Sequence, residues 1–299
     1  MDVPITPAPV APTAPTGTSA VSERAQARRE TIRVLIRKPA FIVGIVIMAG
    51  WIITAVLGEA ITPYDPYNDF FPNHQQPSTE HPFGTDRLGR DVLSRVMVGS
   101  RDVLIVAPLA ALLGVTVGTL LGLIMGYYRG AIDDVLSRLV EAFLALPVIL
   151  VSLLALVVLG PSPVVVVSVV GILFAPIVAR TVRSAVLSER QLDYVTAAKL
   201  RGESGFFILS REIFPNVLPP IVVELTVRFG YAIFTVATLS FLGVGIQPPS
   251  ADWGLTISDE YTNMISGVWW STLFPALAIA SAVVAINFIA DSLQSVLSE

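Results

Sequence analysis

The chain has 299 residues, of which 54% are hydrophobic and only 14% charged, with a mean hydropathy of +0.73. A soluble domain carries about 25% charged residues, so this composition belongs to a membrane protein built as one multi-span unit. A net charge of −4 offers nothing to nucleic acid, and the lack of cysteine excludes disulfides, thiol catalysis and cysteine metal sites.

Residues 1 to about 21 are rich in Pro, Ala, Thr and Ser. No basic region precedes an apolar run there, so the stretch is not a signal peptide. Its composition predicts a disordered tail, residues 1–30. Arg24, Arg28, Arg29, Arg33, Arg37 and Lys38 are interleaved with Ile32, Val34, Leu35 and Ile36. This basic segment fits either an interfacial helix on anionic lipid or a simple positive anchor.

Six apolar stretches can each cross a bilayer core of about 30 Å, which takes roughly 20 helical residues. They lie at about 40–58, 103–126, 139–159, 164–187, 217–245 and 272–292. The chain thus divides into a tail, a segment 31–102 with the first span, and a five-span core 103–299. Gly114, Gly118 and Gly122 repeat every fourth residue in the second span, the pattern that lets a neighbouring helix approach closely. Pro108, Pro147, Pro176, Pro219 and Pro220 start or kink spans.

The segment between the first two spans contains His74 and His81, seven apart in a Pro-rich loop. That is not helical ligand spacing, and no metal site is expected. Asp91 can cap a helix running to Arg101, with Val92, Leu93, Val96 and Met97 as its apolar stripe. The segment reads as an amphipathic connector at the interface with Asp–Arg surface pairs, or else as a docking surface or gate.

Lys and Arg set the orientation. The basic N-terminal segment, Arg129, Arg138, Arg180, Arg183, Arg190, Lys199, Arg201 and Arg211 fall on one side, against Arg87, Arg90, Arg95 and Arg101 on the other. Both termini and the polar interval 193–216 are therefore predicted to be cytoplasmic. That interval reads as two short helices about a glycine turn. Asp193 is placed as N-cap, Gly202 at C′, Ser204 as the second cap and Pro215 at the end. Ala197 and Ala198 leave room for another backbone.

Glu224 and Arg228 lie four residues apart inside the fifth span and can pair on one helix face. Charges inside a membrane are candidates for a substrate pathway, and the alternative is a structural pair. No nucleophile–base set and no phosphate-cradling loop is present, so no catalytic residues are assigned. Beyond that span, Pro248 and Pro249 make an extended turn, and Trp269 and Trp270 suit an aromatic belt.

Three stretches stand in fixed order on this six-span chain. They are His81-Pro82-Phe83-Gly84-Thr85-Asp86-Arg87-Leu88-Gly89-Arg90-Asp91-Val92-Leu93-Ser94-Arg95, then Asp193-Tyr194-Val195-Thr196-Ala197-Ala198-Lys199-Leu200-Arg201-Gly202, then Leu239 to Gly254. Together they resemble the permease subunit of dipeptide/oligopeptide ABC importers, of the second-permease type. The resemblance covers nearly all of residues 30–299.

The resemblance implies an all-α type I importer fold with six transmembrane helices and cytoplasmic coupling (EAA) helices. It implies a bacterial inner-membrane location and a second, homologous permease as partner. It further implies two ABC ATPases that use ATP and Mg, and an extracytoplasmic peptide-binding protein. No cofactor is expected on this chain itself. Asp193, Tyr194, Thr196, Ala197, Ala198, Gly202 and Pro215 would form the ATPase-coupling set, with Ala197, Ala198, Gly202 and Pro215 on the motif's Ala-Ala, Gly and Pro positions. Thr196 occupies the Glu position, a departure. Related permeases also serve nickel complexes, glutathione or haem. An ion-coupled secondary transporter would need several mid-span acids, and an intramembrane protease would need a catalytic set within the spans.

Overall fold

The computed structural model describes residues 33–68 and 70–297. The predicted tail and Arg24, Arg28 and Arg29 lie outside the described residues. Helix α1, Pro39–Leu57, starts on a proline whose missing N–H costs nothing at that position. Helix α2, Val92–Tyr128, has 37 residues. At 1.5 Å per residue it is about 55 Å long, well beyond a bilayer core. The expected short helix ending at Arg101 and the span starting at 103 are thus one helix. Val92, Val96, Val103 and Ala107 continue a single buried face, and no breaker interrupts them.

The third predicted span is not one straight helix. Helix α3, Gly130–Leu144, and helix α4, Val148–Leu159, meet at 87°. Pro147 is the extended residue before α4. It has no N–H to bond back into α3, and its ring disfavours helical geometry at the preceding Leu146. Helix α5, Pro163–Glu189, is capped by Ser162, whose Oγ accepts from Val165 N. Helix α6, Asp193–Leu200, and α7, Gly205–Phe207, follow. Helix α7 runs on into a π-helical turn, Ile208–Ile213. Helix α8, Leu218–Phe241, stops earlier than the apolar run, because Gly243 takes φ +80. Helix α9, Trp253–Glu260, and α10, Trp270–Leu297, complete the order. Among the described residues, five helices (α1, α2, α5, α8 and α10) are long and apolar enough to cross a membrane, and the bent α3–α4 pair, counted as one span, makes a sixth.

Helices α2 and α5 form the spine. A Cβ on Gly114 would lie 2.8 Å from Gly171 O, on Gly118 2.6 Å from Ala175 O, and on Gly122 2.7 Å from Ala179 O. The register is constant, so the two helices run parallel with the glycine face against α5. The stripe extends one step further than expected, to Gly126 against Val186. In lipid, helix association rests on this close van der Waals approach, because burying apolar surface from lipid gains little.

At the N-terminal end of α2 the connecting segments fold into a buried cap, not an amphipathic connector. Asp86 is buried and accepts from Leu88 N, Arg90 N and Arg90 Nε. Arg95, equally buried, donates to Pro66 O and Ser250 O. His81 Nδ1 lies 2.9 Å from Asp91 Oδ1, and Asp91 caps α2 through Ser94 N. Glu260 of α9 accepts from Arg87 N. The Asp and Arg residues of this stretch mostly make buried bonds within the cap, and the Arg87–Asp259 pair is its more exposed member. Trp270 is buried in this cap, donating to Thr85 O, so only the half-exposed Trp269 suits an aromatic belt.

Candidate functional site

The candidate site is the element 193–216, at the opposite end of α2 from the cap. Helix α6 begins with Leu192 as N-cap and no side-chain cap bond, so Asp193 is not the cap that the sequence predicted. Asp193 is instead the first helical residue, where the helix dipole favours an anion. The other end is as predicted. Gly202 has φ +79 and sits at C′. Its N–H bonds to Lys199 O at 3.0 Å, and Glu203 N bonds to Ala198 O at 3.2 Å. These two bonds make a Schellman motif. A Cβ at Gly202 would meet nothing within 4 Å, so glycine is required there for its backbone and not for packing. Ser204 Oγ then accepts from Phe207 N and caps α7. Phe214 N reaches Leu209 O at 2.9 Å in the π-turn, and Pro215 follows its end.

Helix α6 has two unlike faces. Val195 and Ala198 are fully buried against Val182, Val186, Ile208 and Ile213. Asp193, Thr196, Ala197 and Leu200 share the outward face at helical spacing. The predicted small pair is therefore split: Ala198 packs inward while Ala197 faces out. Thr196 lies on the exposed side, so its surroundings are set by whatever meets that face. Leu200 is 85% exposed and Phe206 77% exposed, on either side of the Gly202 turn. Sequence reasoning passed over both, since an apolar residue in an apolar chain gives no contrast.

Tyr194 ties the element to the bundle. Its hydroxyl donates to Glu189 Oε2 at 2.6 Å, at the end of α5. It accepts from Asn216 Nδ2 at 3.1 Å, at the approach to α8. Burial, then the bond to the Glu189 carboxylate, pushes the phenol up to about 12. Gly205 packs under Tyr127 of α2, where a Cβ would come within 3.1 Å of the ring. The two short helices are thus fixed to α2, α5 and α8 together.

Glu224 and Arg228 meet as predicted, with Arg228 Nε 3.1 Å from Glu224 Oε2. Thr181 of α5 donates to Glu224 Oε1 at 2.8 Å. The Arg228 guanidinium lies 4.9 Å from the Tyr231 ring centroid and 6.0 Å from that of Phe174. A second pair was missed: Arg183 of α5 grips Asp133 of α3 with two bonds of 2.6 and 2.7 Å. Fifty residues separate the partners, so no local spacing announces them. Among the described residues no group of three or more metal-ligating side chains comes together.

The inner membrane component family of binding-protein-dependent transport systems matches residues 118–299, and the N-terminal transmembrane domain of oligopeptide transport permease C matches residues 27–78. A putative peptide transport system permease protein of Brucella suis biovar 1 (strain 1330) is 38% identical over 268 residues, 89% of this chain and 90% of its own length. The dipeptide transport system permease protein DppC of Bacillus subtilis (strain 168) is 36% identical, covering 85% of this chain and 80% of its own. The glutathione transport system permease protein GsiD of Escherichia coli O6:K15:H31 (strain 536 / UPEC) is 38% identical and covers 82% of both. In fold, the chain is similar to one from the inward-facing MetNI methionine ABC transporter. The TM-score is 0.55 at 18% identity, over 70% of this chain and 97% of that one. The chain belongs to the inner membrane component family of binding-protein-dependent transport systems, and it has the helical permease fold of a type I ABC importer.

Proposed function

We propose that this chain is one of two permease subunits of an ATP-driven importer of di- or oligopeptides. Its partners are a homologous permease, two ABC ATPases that use ATP and Mg, and an extracytoplasmic peptide-binding protein. Both termini and the element 193–216 face the cytoplasm, and the chain carries no catalytic residues. The cap faces the binding protein.

The observation that carries the reading is the build of the element itself. Two short helices are closed by a Schellman motif and braced by Tyr194, yet Leu200 and Phe206 are left uncovered at the tip. A rigid element with an uncovered apolar tip transmits force at a contact, whereas a flexible loop would absorb it. ATPase closure displaces the tip, and the braces to α5 and α8 pass that displacement to the bundle. Asp193, Thr196, Ala197, Gly202 and Pro215 act here as the contact face and its turn. Tyr194 and Ala198 hold that face to the bundle. Glu224 and Arg228 border the substrate path as a braced pair. An ion-coupled carrier is disfavoured because Glu224, an acid within α8, is already engaged by Arg228 and Thr181.

The test is uptake of labelled dipeptide by proteoliposomes holding the complete complex. Uptake should require both ATP and the binding protein. Uptake driven by an ion gradient without ATP would overturn the reading. Glutathione, nickel complexes and haem, supplied with the same binding protein, test the substrate class separately.

A further inference from the structure

A groove of about 560 Å³ runs between the bundle and the coupling element. Leu120, Ile124 and Tyr128 of α2 form one wall with Ile132 of α3, and Phe206 and Leu209 form the other. Ser210 also lines it, but its hydroxyl is turned to Phe206 O at 2.7 Å, so it adds no free donor. The α2 wall ends an exposed apolar strip, Ile105, Leu109, Leu112 and Leu120, spaced at four, three and eight residues along one helix face. On a membrane-spanning helix such a strip faces lipid, and the groove is where it runs in under the coupling element. Arg129 and Arg211 directly follow the lining residues Tyr128 and Ser210, and both are exposed. Neither makes an ion pair among the described residues, whereas Asp133 and Glu212 nearby are engaged by Arg183 and Arg201.

We propose that this groove binds a phospholipid with an anionic headgroup, its acyl chain along Leu120, Ile124 and Leu209 and its phosphate held by Arg129 and Arg211. A guanidinium matches phosphate oxygens in charge and in fork geometry. The bound chain fills the seam between bundle and coupling element, so lipid headgroup charge enters the mechanical link itself. The inference rests on the proposed placement of this end at the inner leaflet.

The test uses the complete complex in phosphatidylcholine nanodiscs doped with phosphatidylglycerol bearing a photoactivatable acyl chain, with adducts mapped by mass spectrometry. Adducts should concentrate on Leu120, Ile124 and Leu209. Each arginine near an anionic lipid contributes about fivefold in binding, so Arg129→Gln and Arg211→Gln should each lower the yield by about that factor. A phosphatidylcholine probe with the same chain should label the groove weakly. Equal labelling by both probes, or labelling no stronger than at the exposed Leu154 and Val158 of α4, would overturn the proposal. So would a cross-link from a photoreactive residue at Ile124 to another subunit, which would make the groove a protein interface. Sidedness is read separately, by thiol labelling of Leu200→Cys. Labelling from the outside alone, with the adducts intact, would sink the orientation and leave the lipid site standing.

Discussion

The Tyr194 hydroxyl donates to Glu189 Oε2 at 2.6 Å and so bolts the first coupling helix to the end of α5. A hydrogen bond to a charged group contributes about 1.5–3 kcal/mol when partly buried. Tyr194→Phe keeps the ring and removes the bond. It should lower the melting temperature slightly and reduce transport per ATP hydrolysed, with complex assembly unchanged. The measurement is the ratio of uptake to phosphate release. Because the phenol is raised to about 12 from 10.0, the stability it adds is complete below pH 10 and lost as pH rises through 12. The Phe variant should therefore differ from the parent by a constant amount between about pH 6 and 9.

The α2–α5 spine should tolerate no side chain at its midpoint. Gly118→Ala sets a methyl 2.6 Å from Ala175 O, in a helix pair that cannot part without losing Gly114 and Gly122 as well. Overpacking of this kind costs about 1–3 kcal/mol. The Ala variant should melt several degrees lower in detergent, and Gly118→Leu should fail to accumulate in membranes. At the exposed Gly50, where a Cβ meets nothing within 4 Å, the same change should be silent.

Arg228→Ala leaves Glu224 with Thr181 alone inside the bundle. Removing one partner of a buried ion pair costs about 3–5 kcal/mol, and these side chains, at 11% and 14% exposure, belong near the low end. Uptake should fall while the complex still assembles. The double change Arg228→Ala with Glu224→Gln should recover stability. Recovered stability with uptake still low would assign the pair to the pathway, and recovery of both would make it a brace between α5 and α8.

Asp252 caps α9 through Leu255 N from a fully buried position in the cap. Burial pushes its carboxyl up to about 6 from 3.8, against the lowering effect of the Leu255 bond. An acid raised on folding favours the folded state while protonated. Its contribution is complete below pH 3.8 and lost as pH rises through 6. The shift is worth up to about 3 kcal/mol. Asp252→Asn keeps an acceptor for Leu255 N and should flatten that pH dependence. Thermal unfolding at pH 5 and pH 7.5 checks it: the parent should lose more stability than the variant between the two.

Parts of this fold are readable from local chemistry alone. Gly114, Gly118 and Gly122 announce a helix contact because their spacing matches the helical repeat. Gly202 and Ser204 announce a turn because few residues suit a left-handed C′ or a cap. The element 193–216 therefore stands out before any coordinates. Other features depend on partners far along the chain. Arg95 looks like a surface charge until Ser250 is brought to it, 155 residues away. Pro147 announces a kink, but the 87° of the bend is hidden because hydropathy averages over a break of three residues. The outward placing of Thr196 and Leu200 needs the helix phase, which depends on Val195 and Ala198 finding the core.

The most direct test of the coupling role places single cysteines in a chain that has none. Leu200→Cys, at the tip of the element, should cross-link to the ATPase subunit in native membranes, with a yield that changes when nucleotide binds. Phe70→Cys, 77% exposed at the opposite end of α2, should not cross-link to it. A cross-link to the ATPase from Phe70→Cys, or none from Leu200→Cys in a complex that transports, would contradict the account.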